Sequence, residues 1–136
     1  MDKLNCALLV DDDSINNFIN ERLLKKLNIA HETKIVLNGE EAIKFITGRV
    51  EQGQPCPELI LLDINMPVMD GFEFLQAYEK IHIPNKNSVV IVMLTTSTNP
   101  NDTERLNNSG VSGYINKPLT EQKLMDVMAK YFHWQV

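Results

Sequence analysis

The sequence predicts an α/β domain in which helices cover both faces of a parallel sheet. Five apolar stretches alternate with five helical patterns, and the central stretches have no polar face. A strand without a polar face must be buried on both sides, and alternating strands and helices imply right-handed parallel crossovers. At 136 residues, the chain has the size of one domain with a full core.

The first strand, Cys6–Val10, is apolar and ends abruptly at three acids, Asp11, Asp12 and Asp13. Ser14 is predicted to cap the helix that follows. The apolar residues of this helix keep helical spacing; they are Ile15, Phe18, Ile19, Leu23 and Leu27. The chain therefore opens with a buried strand, an acidic turn and an amphipathic helix.

The second strand is shorter and more weakly marked, and residues 34–37 are predicted to form it at an edge of the sheet. Asn38 and the acid Glu41 are typical of the start of a helix. Its inward stripe consists of Ala42, Ile43, Phe45, Ile46 and Val50. Gly53 and two prolines then predict a surface loop over residues 52–57.

The third strand covers residues 58–63 and carries four consecutive apolar residues into the carboxylate of Asp63. Pro67 prevents the strand from continuing, because proline lacks the backbone donor that a ladder needs. A helix with an apolar face is predicted from Gly71 to Lys80. Asp63 thus lies where a buried strand reaches the surface.

The fourth strand, residues 89–94, is the most strongly apolar stretch of the chain. Asn99 and Pro100 predict the start of a short polar helix that ends at Gly110. Residues 111–116 form the fifth predicted strand, and Thr120 is predicted to cap the last helix.

Polar residues follow four of these strands where each strand ends. They are Asp11 and Asp12 after the first, Asp63 at the end of the third, Thr95 after the fourth and Lys117 after the fifth. The carboxyl ends of parallel strands share one edge, and open sheets of this kind bind ligands there. We therefore expect these side chains to form one site.

The chemistry of this set indicates phosphoryl transfer. Three neighbouring carboxylates repel one another unless they share a cation, and oxygen ligands without a cluster of His or Cys suit Mg²⁺. A carboxylate can attack phosphorus and form an aspartyl phosphate, while a metal and a lysine neutralise the charge of the transferred group. The hydroxyl of Thr95 can donate to a phosphoryl oxygen.

These motifs resemble those of receiver domains of two-component response regulators, of the single-domain, chemotaxis-regulator kind. The matching stretches are Val10-Asp11-Asp12, Asp63-Ile64-Asn65-Met66-Pro67 with Asp70-Gly71, Leu94-Thr95-Thr96, and Gly113-Tyr114-Ile115-Asn116-Lys117-Pro118. They extend over nearly the whole chain in the order of the family. The resemblance implies a flavodoxin-like (βα)5 doubly wound parallel sheet with the strand order 2-1-3-4-5.

The resemblance also implies roles for the acids. Asp63 becomes the phosphoacceptor and a metal ligand. Asp11 and Asp12 become acids of the Mg²⁺ site, with Asp12 the more direct ligand, and Asn65 adds its backbone carbonyl. Asp13 is assigned to the loop, without a metal role.

Further roles follow for the other matching residues. Thr95 becomes the switch hydroxyl, Lys117 the cation that pairs with the phosphoryl group, and Tyr114 the aromatic residue that moves on the output face. The bond between Lys117 and Pro118 is expected to be cis. Ser97 and Asn65 are expected to flank the approach of the hydrolytic water.

The predicted function is a phosphorylation-dependent signalling switch. A sensor histidine kinase or histidine phosphotransfer protein donates a phosphoryl group to Asp63 with Mg²⁺ present. Thr95 then moves inward, Tyr114 follows, and the fourth helix and fifth strand repack. Output occurs through protein–protein contact with an unknown target or by onward phosphotransfer. Apart from assisting its own phosphorylation and dephosphorylation, the protein is not predicted to be an enzyme.

Two alternatives remain open at this point. The stretch Val10-Asp11-Asp12-Asp13-Ser14 resembles the first motif of haloacid-dehalogenase-type phosphatases, in which Asp11 would be the nucleophile. That interpretation leaves Asp63 without a role, and the chain is short for such a fold. The other alternative is a phosphorylation-independent binding module.

Composition excludes some partners and locations. A net charge of −5 argues against direct binding to nucleic acid or an anionic membrane, and Cys6 and Cys56 are too few for a disulfide framework. No apolar stretch is long enough to be a membrane span or signal peptide, so a cytoplasmic location is expected. Residues 1–136 are predicted to be one receiver domain without an output domain.

Overall fold

The fold is that of an alternating α/β domain, seen in a computed structural model that describes residues 3–96 and 100–135, and the side chains of all of these except 100–103. The elements are β1 (Leu4–Val10), α1 (Ser14–Lys26), β2 (Ala30–Val36), α2 (Gly39–Glu51), β3 (Leu59–Asp63), α3 (Gly71–Glu79), β4 (Val90–Thr95), α4 (Pro100–Asn108), β5 (Gly113–Asn116) and α5 (Glu121–Phe132). A short 3₁₀ turn, Lys86–Ser88, precedes β4.

The five strands form one parallel sheet in the order β2-β1-β3-β4-β5. The predicted strand order is therefore confirmed. Every residue of β3 and β4 is buried, as expected for central strands without a polar face. β2 and β5 lie at the two edges.

Two separate apolar clusters hold the helices against the sheet. On one face, Leu8, Leu62 and Met93 contact residues of α2, α3 and α4. On the other face, Leu9, Leu61 and Leu94 contact residues of α1 and α5. The sheet is thus doubly wound, and the alternation of side chains along each strand supplies both cores.

The start of α1 differs from the sequence prediction, because Asp13 and not Ser14 caps the helix. The Oδ1 atom of Asp13 accepts hydrogen bonds from the backbone N–H groups of Ile15 (2.9 Å) and Asn16 (3.2 Å). Asp and Ser are both favourable caps, and the carboxylate also gains from the positive end of the helix dipole.

Strand β2 is longer than predicted and begins at Ala30. It pairs with β1 from Leu4 opposite Ala30 to Val10 opposite Val36, so the full length of its neighbour is matched. Its burial pattern is mostly exposed or intermediate, as befits an edge strand, and this polar character concealed its first half in the sequence. The predicted cap Asn99 lies outside the described residues.

Other predictions of local structure are confirmed. The Thr120 side chain accepts a hydrogen bond from Lys123 N at the start of α5, and the peptide bond between Lys117 and Pro118 is cis. Within the described parts of the chain, no helix is long and apolar enough to cross a membrane.

Candidate functional site

The carboxyl ends of four strands bring the predicted site residues together. Asp11 follows β1 and is 3% exposed, and Asp63 ends β3 and is 8% exposed. Thr95 ends β4 and is also buried. Lys117 follows β5, where its backbone N–H donates to the carbonyl of Thr95 (2.8 Å).

Lys117 forms ion pairs with carboxylates from two other strands at this edge of the sheet. Its Nζ lies 2.9 Å from Asp63 Oδ1 and 3.6 Å from Asp11 Oδ2. One ammonium group therefore faces two buried carboxylates from neighbouring strands. The structure therefore brings Lys117, Asp63 and Asp11 together, and their chemical roles stay predictions.

The acids form a compact group of oxygen donors. Carboxylate oxygens of Asp11, Asp12 and Asp63 lie within 4.8 Å of one another. Asp11 Oδ2 is buried, and its ion pair with Lys117 Nζ at 3.6 Å is its one contact of opposite charge that the structure shows, because it has no hydrogen-bond partner in the described part of the chain. A buried carboxylate oxygen without a hydrogen bond is costly, and a hard divalent cation would coordinate it. The donor set therefore fits Mg²⁺.

Burial and mutual contact shift the pKa values of Asp63 and Lys117. Burial raises the pKa of the Asp63 carboxyl above its ordinary value, and the hydrogen bond from Lys117 opposes this rise without cancelling it. Burial also acts against the cationic form of Lys117, but Asp63 and Asp11 outweigh it, so the pKa of Lys117 is raised. Lys117 stays charged, and the site favours a further cation beside Asp63.

Hydrogen bonds in the segment after Asp63 connect the end of β3 to the start of α3. The backbone N–H of Gly71 donates to the carbonyl of Ile64 (2.8 Å). Asp70 accepts a bond from Glu73 N (2.8 Å), and Glu73 Oε1 accepts one from Asp70 N (3.1 Å). This capping box begins α3 directly beside the phosphoacceptor candidate.

Thr95 and Tyr114 occupy neighbouring strands. In the register of β4 and β5, Met93 lies opposite Tyr114 and Thr95 lies opposite Asn116. Residues two apart on a strand share a face, so Thr95 and Tyr114 lie on the same side of the sheet. Thr95 is buried, whereas Tyr114 is 44% exposed.

Comparison with known proteins gives the family of this fold and site. The model of the response regulator receiver domain family matches residues 7–129. This chain belongs to that family. Two-component response regulator 24 of Arabidopsis thaliana is 31% identical to it over 124 residues, which cover 91% of this chain and 81% of that protein.

Solved structures of response regulators have the same fold as this chain. A two-component response regulator from Cytophaga hutchinsonii matches this receiver domain with a TM-score of 0.84 at 30% identity, covering 98% of this chain and 100% of the other. Chemotaxis protein CheY4 of Vibrio cholerae matches with a TM-score of 0.73 at 25% identity, covering 94% of this chain and 98% of the other. The receiver domain acts as a phosphorylation-dependent signalling switch, and neither alternative function is favoured.

Some predicted site residues are not tested by these contacts. Asn65 is exposed two residues after Asp63, and the role of its carbonyl stays a prediction. Asp13 is used as a helix cap and is not a member of the acidic cluster. Ser97 lies outside the described residues.

Two residues that support the site were missed by the sequence prediction. The Asn17 side chain donates from Nδ2 to the backbone carbonyl of Asp11 (2.8 Å). Lys123 Nζ donates to the carbonyls of Asn116 (2.7 Å) and Pro118 (3.1 Å), on either side of Lys117. A polar residue inside an amphipathic helix and a cation in the first turn of a helix were the available signals.

The apolar residues at the start of α1 face solvent. Ile15, Phe18 and Ile19 are 69%, 60% and 53% exposed, whereas the buried residues of the helix are Asn17, Asn20 and Leu24. The Asn17 side chain lies on the buried side, where it donates to the Asp11 carbonyl. This surface, Ile15, Phe18 and Ile19, is called the α1 apolar face below.

Proposed function

We propose that Asp63 accepts a phosphoryl group from a phosphohistidine on a sensor histidine kinase or histidine phosphotransfer protein. The observation that supports this proposal best is the position of Lys117 Nζ, 2.9 Å from Asp63 Oδ1, in a site where Asp11 and Asp12 supply further carboxylates. An ammonium beside a buried carboxylate stabilises the added negative charge.

The step transfers one phosphoryl group. A carboxylate oxygen of Asp63 forms a bond to phosphorus while the bond between phosphorus and the donor imidazole nitrogen breaks. The electron pair of that bond stays on the imidazole nitrogen, and Asp63 becomes an acyl phosphate. Hydrolysis by water later returns the carboxylate and releases inorganic phosphate.

Mg²⁺ is the proposed cofactor, with Asp11, Asp12, Asp63 and the carbonyl of Asn65 as its protein ligands. When bound, it supplies positive charge that neutralises the transferred group. The receiver family typically binds Mg²⁺ at such an acidic pocket, and the buried Oδ2 atom of Asp11, which accepts no hydrogen bond in the described part of the chain, supports the same assignment here.

The phosphoryl group is proposed to act on Thr95 and Tyr114. An added dianionic group at Asp63 attracts the hydroxyl of Thr95, which ends the adjacent strand. Space that this movement opens lets Tyr114, now 44% exposed, turn inward and repack β5 and α4. The surface formed by α4 and β5, which we call the output face, then has a different shape when it meets the downstream protein.

The phosphoryl donor is proposed to dock on the α1 apolar face. Ile19 lines a groove together with Lys117, Pro118 and Leu119, so the face adjoins the lysine whose Nζ contacts Asp63. A donor protein must approach Asp63 from this open edge, and exposed apolar side chains there favour a protein partner. Phe18→Ser should slow transfer from a donor protein and leave phosphorylation by acetyl phosphate unchanged.

The test of the central proposal is incubation with Mg²⁺ and acetyl phosphate, followed by mapping of the modified residue by mass spectrometry. Label is expected on Asp63 and absent in Asp63→Ala. Asp126→Asn, which removes an exposed carboxylate from α5, is the matched control and should label normally. Label on Asp11 with sustained phosphatase turnover would contradict the proposal.

A further inference from the structure

Lys123 occupies an unexpected position at the start of α5. It is the third residue after the cap Thr120, where a capping box places Glu or Gln. A cation in the first helical turn also opposes the helix dipole. The local sequence preference of the helix therefore does not account for a lysine here.

The contacts of Lys123 lie outside the helix. Its ammonium group donates to the carbonyl of Asn116 (2.7 Å) and to the carbonyl of Pro118 (3.1 Å). These two carbonyls flank Lys117 in the chain. Hydrogen bonds from a charged donor are stronger than neutral ones, so Lys123 closes the turn around Lys117 with two of them.

The position of Lys117 depends on this turn. Its backbone N–H is bound to the carbonyl of Thr95 (2.8 Å), and its side chain extends from the turn to Asp63 and Asp11. The Thr95 bond fixes one side of the residue only. A shift of the carbonyls of Asn116 and Pro118 would rotate the Cα–Cβ direction of Lys117 and move Nζ away from Asp63.

We propose that Lys123 is a positioning residue for phosphorylation, holding the turn from which Lys117 reaches Asp63. This inference rests on the proposed function of Lys117 and Asp63. Lys123 makes no contact with either carboxylate among the described contacts, so its effect must pass through Lys117.

The test is a double-mutant cycle on the rate of Asp63 phosphorylation by acetyl phosphate with Mg²⁺, followed by intact mass. Lys123→Met should slow the reaction of the otherwise wild-type protein by about three- to tenfold. A misplacement of about 1 Å can cost ~100-fold, and we expect a smaller movement of Lys117 here. In a Lys117→Ala background, which we expect to react slowly but measurably, Lys123→Met should have no further effect.

Three further measurements separate positioning from folding and from net charge. Lys123→Arg, which keeps a charged donor of similar reach, should restore most of the rate. Lys130→Met removes an exposed cation from the same helix and should react as the wild type does. The ε-methylene NMR signal of Lys117 should shift in Lys123→Met and stay unchanged in Lys130→Met.

The proposal is overturned if Lys123→Met reacts at the wild-type rate, or if it slows the reaction equally with and without Lys117. Equal slowing would assign Lys123 to general stability. These outcomes are distinct from failure of the proposed function, in which the wild-type protein itself would carry no label on Asp63.

Discussion

Gly71 offers a quantitative test of how α3 positions Asp63. A Cβ atom at this residue would lie 2.7 Å from the backbone oxygen of Asp63 and 2.8 Å from Met93 Cε. The first distance is about 0.7 Å short of the 3.4 Å at which ordinary contact begins. Gly71→Ala must therefore push α3 away from the end of β3.

The magnitude follows from two opposing effects. Overpacking of a buried contact costs about 1–3 kcal/mol, and replacing glycine by alanine in a helix returns up to about 1 kcal/mol. We expect Gly71→Ala to lower the free energy of unfolding by about 1–2 kcal/mol. The strain at the Asp63 backbone oxygen should also shift the Asp63 side chain by a fraction of an ångström, so we expect phosphorylation about tenfold slower, since about 1 Å of misplacement can cost ~100-fold.

Urea denaturation and acetyl phosphate labelling measure the two effects. Gly48→Ala is the matched control. Gly48 also lies in a helix, α2, and a Cβ atom there would meet nothing within 4 Å. This substitution should raise the free energy of unfolding by about 0.5–1 kcal/mol and leave the labelling rate unchanged. A Gly71→Ala protein as stable and as reactive as the wild type would refute the reasoning.

Three further predictions address the metal, the switch and the core. Asp12→Ala should weaken Mg²⁺ binding by at least about tenfold in calorimetry, since even outer-shell changes cost that much; unchanged affinity would remove Asp12 from the ligand set. Lys117→Ala should still label on Asp63, yet the NMR signals of Tyr114 should fail to shift on phosphorylation; a normal shift would contradict the role of the lysine. The buried hydroxyl of Tyr78 has no hydrogen-bond partner among the described residues, and burial raises its pKa from 10.0 to about 12. Stability from the neutral hydroxyl is thus complete below pH 10.0 and is lost as pH rises toward about 12. Tyr78→Phe should lose less stability than the wild type over that range in urea denaturation, and an identical pH dependence would argue against burial of the hydroxyl.

The sheet and the acidic edge were accessible from the sequence because both depend on strong local signals. Apolar strands that lead to Asp11, Asp63 and Thr95 indicate which residues are buried and where each strand reaches the surface. Parallel topology then brings these ends together without further information. Lys117 could be included because it follows the last strand.

The orientation of α1 could not be predicted in the same way. Its spacing indicates one apolar side, but Ile15 and Phe18 face solvent because Asn17 and Asn20 are turned toward the core. The buried side of α1 includes Asn17, which donates a hydrogen bond to the Asp11 carbonyl, and the spacing of apolar residues gives no information about such a bond. Lys123 was missed for the same reason, since its acceptors become neighbours only after the turn has formed.

The central place of β1 in the sheet has a consequence for folding during synthesis. β1 is made before the other strands of this sheet, yet one of its two partners is β3, whose residue Leu59 pairs with Ala7 about fifty residues earlier in the chain. Until β3 leaves the ribosome, one backbone edge of an almost wholly buried strand has no partner and is open to mispairing. Pairing over such a separation also slows folding, because the loop must close before the contact forms. The second ladder of β1 therefore cannot form in the nascent receiver until β3 has been synthesised.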